Sequence, residues 1–285
     1  MVTLVFQFNW QVFSLRYLLQ RKSHVSKVEQ PKIIISLTSY RDRFQYTHKT
    51  IRSLMMQNHR DMRIILFLEK HDFAQADAFS DLLKFDFRVE EFAYNYRSYI
   101  KFVPAFERYP NAIIVTADDD MYYRKSWLQE LVAAHQMYPS SIVGHRGLEV
   151  GRKQGEGFTP YKTWPKATAK TSSSNLLLTG VGGVLYPPGI LKKEVLDMDL
   201  AMRLTANNDD IWLFFMSRLS KCDVRVIETS NREPYFWFGS QNRALRHQNV
   251  ANDYNDVQMM QMERFFQIFK DNKDNVSKQD IFDSE

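Results

Sequence analysis

With 285 residues, 44% of them hydrophobic and 14% aromatic, the chain carries enough apolar material for a sizeable core, which excludes collagen-like, coiled-coil and wholly disordered classes. A lone cysteine, Cys222, excludes an intrachain disulfide framework and a cysteine-rich zinc site and fits a reducing, cytoplasmic compartment. The formal charge of +5 comes from 38 basic residues interspersed among 33 acidic ones, so anionic partners are favoured only weakly, and no basic block argues for nucleic acid.

Residues 1–30 read as a helical extension. Gln7, Asn9, Gln11 and Arg16 interrupt its apolar run, and neither a basic region before it nor a small-residue cleavage site after it marks a signal peptide or a spanning helix. Two readings stay open. The helix lies on a membrane surface, with Trp10, Phe13, Tyr17 and Leu18 on one side and Arg16, Arg21 and Lys22 at the headgroups, or it packs on the domain.

From residue 32 the chain alternates types. The run 32–40 is a β-branched strand, 47–57 has helical spacing, and 62–69 is a second strand. Residues 72–85 read as a helix, 87–93 as a short strand, 99–110 as a helix and 111–117 as a fourth strand. Strands alternating with helices predict an α/β fold with a mostly parallel sheet covered on both faces, whose ligands bind beyond the carboxyl ends of the strands. Residues 31–271 are read as one domain, with halves 31–120 and 121–271, followed by a polar tail, 272–285.

The fourth strand ends in Asp118, Asp119 and Asp120, and three neighbouring carboxylates repel one another unless a cation or a set of donors neutralises them. Continued alternation would turn Asp118 and Asp120 the same way and Asp119 the other, giving two convergent hard oxygens suited to Mg²⁺ or Mn²⁺. The bland alternative is a solvated turn capping the helix that follows, for which one aspartate would suffice. Gly180, Gly182 and Gly183, in "LTGVGGVLYPPG", allow close backbone approach or positive φ, at a tight turn or a substrate-facing loop, without the spacing of a dinucleotide fingerprint or a P-loop. Further on, Asn208 or Asp209 caps a helix in which Ile211, Phe214, Phe215 and Leu219 recur at helical spacing, leaving an acidic pair, Asp209 and Asp210, at its start. Capping alone explains one of them; the functional reading makes one a general base.

In combination, "ISLTSYRDRF", "RSYIKFVPAFERYPNAIIVTADDDMYYRKSWLQEL", "GVGGVLYPPG" and "NDDIWL" resemble the nucleotide-sugar glycosyltransferases of the GT-A fold, close to the family 2-like enzymes of bacterial polysaccharide, lipopolysaccharide and capsule assembly. The resemblance covers roughly residues 32 to 220. It implies a Rossmann-like central sheet with a small antiparallel acceptor-side portion. It implies Asp120 as a Mn²⁺ or Mg²⁺ ligand, Asp118 on the metal or the ribose, Asp119 beside them at the donor, and His247 as a third ligand. Asp210 becomes the base of an inverting transfer and Asp209 orients the acceptor. Thr38, Ser39 and Tyr40 fall where the family contacts the nucleotide, and Arg97 and Lys101 where a diphosphate would pair. Trp164, in a long polar segment read as a mobile flap, offers an aromatic face to an acceptor, with Gly182 and Gly183 beside it. The implied partners are a nucleotide sugar, UDP-linked by preference, and a glycan or lipid-linked saccharide, with peripheral membrane contact through the first thirty residues and no nucleic acid.

Three rival functions stand beside this one. A metal-dependent phosphatase would be expected to carry its aspartyl nucleophile after the first strand, whereas the aspartates here follow the fourth. A non-catalytic protein binding carbohydrate or nucleotide sugar would show no turnover. A sugar-phosphate nucleotidyltransferase would be expected to carry a Gly-rich phosphate loop after its first strand, where "LTSYRDRF" has no glycine.

Overall fold

The computed structural model describes residues 9–15, 32–59, 61–153, 157–169, 171, 173, 175–206, 208–227, 235–243 and 253–268. A seven-stranded sheet runs in the order β3-β2-β1-β4-β8-β5-β9, from β1 (Ile33–Thr38), β2 (Arg63–Glu69), β3 (Phe87–Phe92), β4 (Ile113–Thr116), β5 (Ser141–Gly144), β8 (Val184–Tyr186) and β9 (Asp223–Val226). All are parallel except β8, which runs against β4 on one side and β5 on the other. A separate antiparallel pair joins β6 (Gly147–Glu149) to β7 (Leu176–Leu178). This is the expected mixed α/β architecture, a mostly parallel sheet with a small antiparallel portion.

The strands are near-continuous apolar runs because both faces are covered. Ile34, Ile65, Phe67 and Ile114 share one core with the crossover and the later helices; Ile33, Ile35, Leu37, Ile64, Leu66 and Val115 share the other. Against the second face pack α1 (Phe44–Met55), through Ile51 and Leu54, and α3 (Trp127–Met137), through Trp127, Leu128 and Leu131. The first face is covered by α2 (Val103–Arg108), α4 (Met198–Thr205), α5 (Asp209–Leu219) and α6 (Tyr254–Phe266).

Two expected helices differ. Over 72–85 the chain makes single turns, Lys70–Phe73 and Ala76–Phe79, and continues with the amides of Leu82 and Phe85 bonded three residues back. Phe79, Leu82 and Phe85 are all buried, an apolar period of three that suits 3₁₀ turns better than an α-helix. Over 99–110 a 3₁₀ turn, Arg97–Lys101, precedes α2, because Pro104 has no N–H and is tolerated only in a first helical turn. At residues 9–15 the chain is helical, and buried Trp10 sits 5.2 Å from the Phe85 ring with the Arg52 guanidinium 5.1 Å over it. That stretch therefore packs on the domain; Arg16, Tyr17, Leu18, Arg21 and Lys22 lie outside the described residues. No described helix is long and apolar enough to cross a membrane.

Candidate active site

β1 and β4 are neighbours in parallel register, Ser36 beside Thr116, so both release their chains at the same edge of the sheet. After Thr116 the chain turns rather than staying extended, and this breaks the alternation expected of the aspartates. Asp119 and Asp120 converge on one cation while Asp118 faces another. The Arg43 guanidinium bonds both oxygens of Asp119 through Nε, at 3.1 and 2.9 Å, and its Nη2 lies 2.8 Å from Asp119 Oδ1 and 2.7 Å from Asp120 Oδ2. Ser39 donates a further hydrogen bond to Asp119, at 2.5 Å, and Gln241 Nε2 one to Asp120 Oδ2, also at 2.5 Å.

The turn's backbone is held as firmly. The Thr50 hydroxyl lies 2.9 Å from the Asp119 carbonyl and 2.8 Å from that of Met121, and accepts the Trp237 indole N–H at 2.9 Å. Asp118 N–H donates to the Tyr123 hydroxyl, and Trp237 N–H to the Asp120 carbonyl. Burial, together with Asp119 and Asp118, pushes the Asp120 carboxyl up to about 6 against the pull of Arg43. Burial works against the charge on Arg43 itself, yet Asp119 and Asp120 hold it protonated beyond the usual range.

The second acidic group arrives from elsewhere. Asn208, extended at φ −149°, caps α5 by accepting the Ile211 amide, which leaves Asp209 and Asp210 in the first turn. The antiparallel course of β8 sets Val184 beside Thr116, so the glycine loop entering β8 meets the exit of β4. Gly180 N–H donates to Asp210 Oδ1 at 2.9 Å. Between the two acidic groups lies buried Lys101, whose Nζ is 3.1 Å from Asp118 Oδ1 and 2.8 Å from Asp209 Oδ2. Burial opposes its charge, but Asp118, Asp209 and Asp210 hold it protonated well above the ordinary range. Asp210 is half-buried, and burial with Asp209 beside it pushes its carboxyl up to about 7, Lys101 opposing.

A Cβ at Gly180 would stand 2.6 Å from Lys101 Nζ and 3.1 Å from Asp210 Oδ1, so any side chain there displaces both groups. Gly183, at φ +87°, has the Trp127 ring 2.4 Å from where a Cβ would be, while Trp127 Nε1–H donates to the Gly182 carbonyl at 2.8 Å.

The structure therefore gathers Ser39, Lys101, Asp118, Asp119, Asp120, Asp209 and Asp210 at one edge. Gly182 belongs to the same loop as Gly180 and is bonded to Trp127. Thr38 sends its hydroxyl to the Phe67 carbonyl, and Tyr40 is 43% exposed beside the Arg43 guanidinium. Arg97 sits on an exposed turn at φ +54°. Trp164 departs from expectation: it is 6% exposed, donates its indole N–H to the Thr159 carbonyl and stacks among Phe158 and Tyr161, so it offers no open face to an acceptor. In the expected flap Phe158 is buried too, edge-on to Phe215 of α5, while Lys153, Lys162, Thr163 and Lys166 stay exposed. His247 lies outside the described residues.

Arg43 and Gln241 are missing from the sequence reading. The signal for Arg43 was present, an arginine just past a parallel strand whose neighbour ends in three carboxylates; Gln241 had none. Among the described residues, no three His, Cys, Asp or Glu side chains converge as a ligand set. Asp118 and Asp120 each engage a protein cation through one oxygen only, and five carboxylates share the two cations Arg43 and Lys101. A hard-oxygen set with charge to spare fits Mg²⁺ or Mn²⁺, which takes one or two protein carboxylates and completes its shell with water and phosphate.

No protein-family model matches the chain, and no curated protein sequence matches it. Solved structures do resemble it. S. aureus TarS 1–349 in complex with UDP-GlcNAc superposes with TM-score 0.49 at 13% identity, over 83% of this chain and 70% of that one. The mannosyltransferase PcManGT from Pyrobaculum calidifontis, in complex with GDP-Man and Mn²⁺, gives 0.49 at 11% identity, over 88% and 73%. The 4-diphosphocytidyl-2C-methyl-D-erythritol synthase of Anaerococcus prevotii gives 0.44 at 11%, over 79% and 96%. Likeness at this level assigns no activity.

Proposed function

We propose that this protein transfers a sugar from a nucleotide-sugar donor to a hydroxyl of a glycan or glycolipid, with inversion. One observation carries the reading: two carboxylate groups some ninety residues apart in sequence meet across Lys101 at the edge of the sheet where α/β folds bind ligands. They meet with unequal environments, which is how one site supports two roles.

Asp210 is the base. Half-buried and poised near neutrality, it accepts the proton of the acceptor hydroxyl as that oxygen bonds to the anomeric carbon and the bond from that carbon to the diphosphate breaks. The Gly180 amide fixes the direction of its carboxylate, and Lys101 holds Asp209 and limits repulsion from it. Asp120, through the oxygen that Arg43 and Gln241 leave open, would hold a divalent ion, which when bound neutralises charge on the departing phosphate. Ser39 and Arg43 keep Asp119 turned away from that position, while Gln241 and Arg43 together occupy one oxygen of Asp120. Tyr40, with its open ring, is placed to stack on a base.

The test is binding and turnover of UDP- and GDP-sugars with Mn²⁺, Mg²⁺ or chelator, for wild type, Asp120→Ala and Asp210→Asn. The reading requires metal-dependent donor binding lost in Asp120→Ala, and binding without transfer in Asp210→Asn. Turnover of a nucleoside triphosphate with a sugar phosphate would replace it with nucleotidyl transfer.

A further inference from the structure

Away from the carboxylates, a cavity of about 260 Å³ opens between the end of β3 and the start of α4. Phe92, Tyr94, Tyr96 and Met198 are among the residues that line it. The two tyrosine rings stand 5.4 Å apart with planes 11° from parallel, and Phe92 meets each at 5.9 Å. Tyr94 is nonetheless 59% exposed, a large ring held in place by aromatic contacts yet open to water.

Glu107 and Asp199 line the rim. Asp197 also reaches the cavity, but its carboxylate already accepts the Leu200 amide at the start of α4, where the helix dipole favours negative charge. Among the described residues no lysine or arginine lines the cavity, so its chemistry is wrong for a phosphate or a nucleotide. A small cation would want acceptors alone. Here the tyrosine hydroxyls supply donors, and burial together with Asp199 and Glu107 keeps that of Tyr96 protonated. Donors, acceptors and an apolar face together match a sugar ring, whose hydroxyls donate and accept while its C–H surface stacks on an aromatic plane.

The cavity also connects to the site. Tyr96 runs directly into the Arg97–Lys101 turn that delivers Lys101, and α4 ends at Thr205, whose carbonyl and hydroxyl accept the Tyr99 hydroxyl at 2.5 and 2.7 Å. We propose that the Tyr94–Tyr96 cavity is an accessory subsite for a neutral saccharide unit. Assigning that unit to a distal residue of the acceptor glycan rests on the glycosyltransferase reading; the binding itself does not.

The experiment is saturation-transfer NMR on the full chain with methyl glycosides of glucose, galactose, mannose and N-acetylglucosamine. Tetramethylammonium serves as the cation probe, and binding of UDP and GDP in the presence of Mn²⁺ is measured on the same protein. At least one glycoside should receive saturation on its ring C–H protons. Tyr94→Ala and Tyr96→Ala should weaken it about tenfold, a difference of 1.4 kcal/mol, leaving UDP binding unchanged. Tyr94 is exposed, so its variant tests the subsite without threatening the fold. The proposal is overturned if no glycoside receives saturation, if the signal survives in both variants, or if tetramethylammonium alone binds. Saccharide binding by a protein that binds neither UDP nor GDP in the presence of Mn²⁺ sustains the subsite and breaks the transferase reading.

Discussion

The two acidic groups of the site solve the same electrostatic problem in different ways. Around Asp119 and Asp120, a forked arginine, two further side-chain donors and a braced backbone turn neutralise the charge locally. Around Asp209 and Asp210, one lysine serves both the pair and Asp118, and the larger shortfall holds the Asp210 carboxyl at about 7, above the Asp120 carboxyl at about 6. The first arrangement fixes geometry; the second stores proton affinity. A fixed set of oxygens suits binding, and an under-neutralised carboxylate suits proton transfer.

The contrast can be broken from either end. Asp210→Asn should cost transfer about 10²–10⁴-fold, the usual worth of a general base, with donor affinity retained in equilibrium binding. Since burial raises the Asp210 carboxyl above its unfolded value, the folded state binds that proton more tightly, and stability falls as pH rises from the unfolded value through about 7. The same substitution should therefore stabilise the protein at pH 8 by ~1 kcal/mol or more, a gain of about 2–4 °C in Tm, and by less at pH 5. A lower Tm at pH 8 would refute this view of Asp210.

Lys101→Met should be the most destructive change to the fold, about 3–5 kcal/mol in urea unfolding, because it strands Asp118 and Asp209 without a partner. Arg43→Gln should cost less, about 2–3 kcal/mol, since Ser39 and Gln241 remain on Asp119 and Asp120. Equal losses would mean that the two groups are not differently braced. Gly180→Ala should cost no more than ~1 kcal/mol, because the contacted atoms end flexible side chains, while lowering kcat by displacing Lys101 and Asp210. Smallest of all is the pH effect: kcat/KM of the wild type should rise toward a plateau above about pH 7 as Asp210 loses its proton, and the limb should vanish in Asp210→Asn.

Much of the scaffold was legible because it is local. β-branched runs of strand length gave β1, β2, β3 and β4 to within two residues at each end, and the apolar spacing after Asn208 gave α5. The acidic triplet and pair were visible as costly charge at element ends. Hidden were the interactions that decide which way those charges turn. Alternation put Asp118 with Asp120, but the chain stops being extended at Asp118, and Arg43, seventy-six residues from Asp119, captures Asp119 and Asp120 together. Trp164 misled because an aromatic in a polar stretch looks exposed, whereas Phe158 and Tyr161 pack against it and Phe158 in turn meets Phe215. Periodicity records neighbours along the chain and is silent about partners across it.

The Thr50 hydroxyl, fastened at once to the turn of Asp119 and to the Trp237 indole, has a consequence for how the protein is made. Trp237 lies 187 residues beyond Thr50, and Gln241 lies 121 beyond Asp120. A growing polypeptide that has already laid down β1 to β4 still lacks both braces, because Trp237 and Gln241 follow the turn much later in the chain. Until then the acidic turn rests on Arg43, Ser39, Thr50 and Tyr123, so a chain cut short before Trp237 would keep the seven strands of its sheet and lose the Trp237 and Gln241 braces.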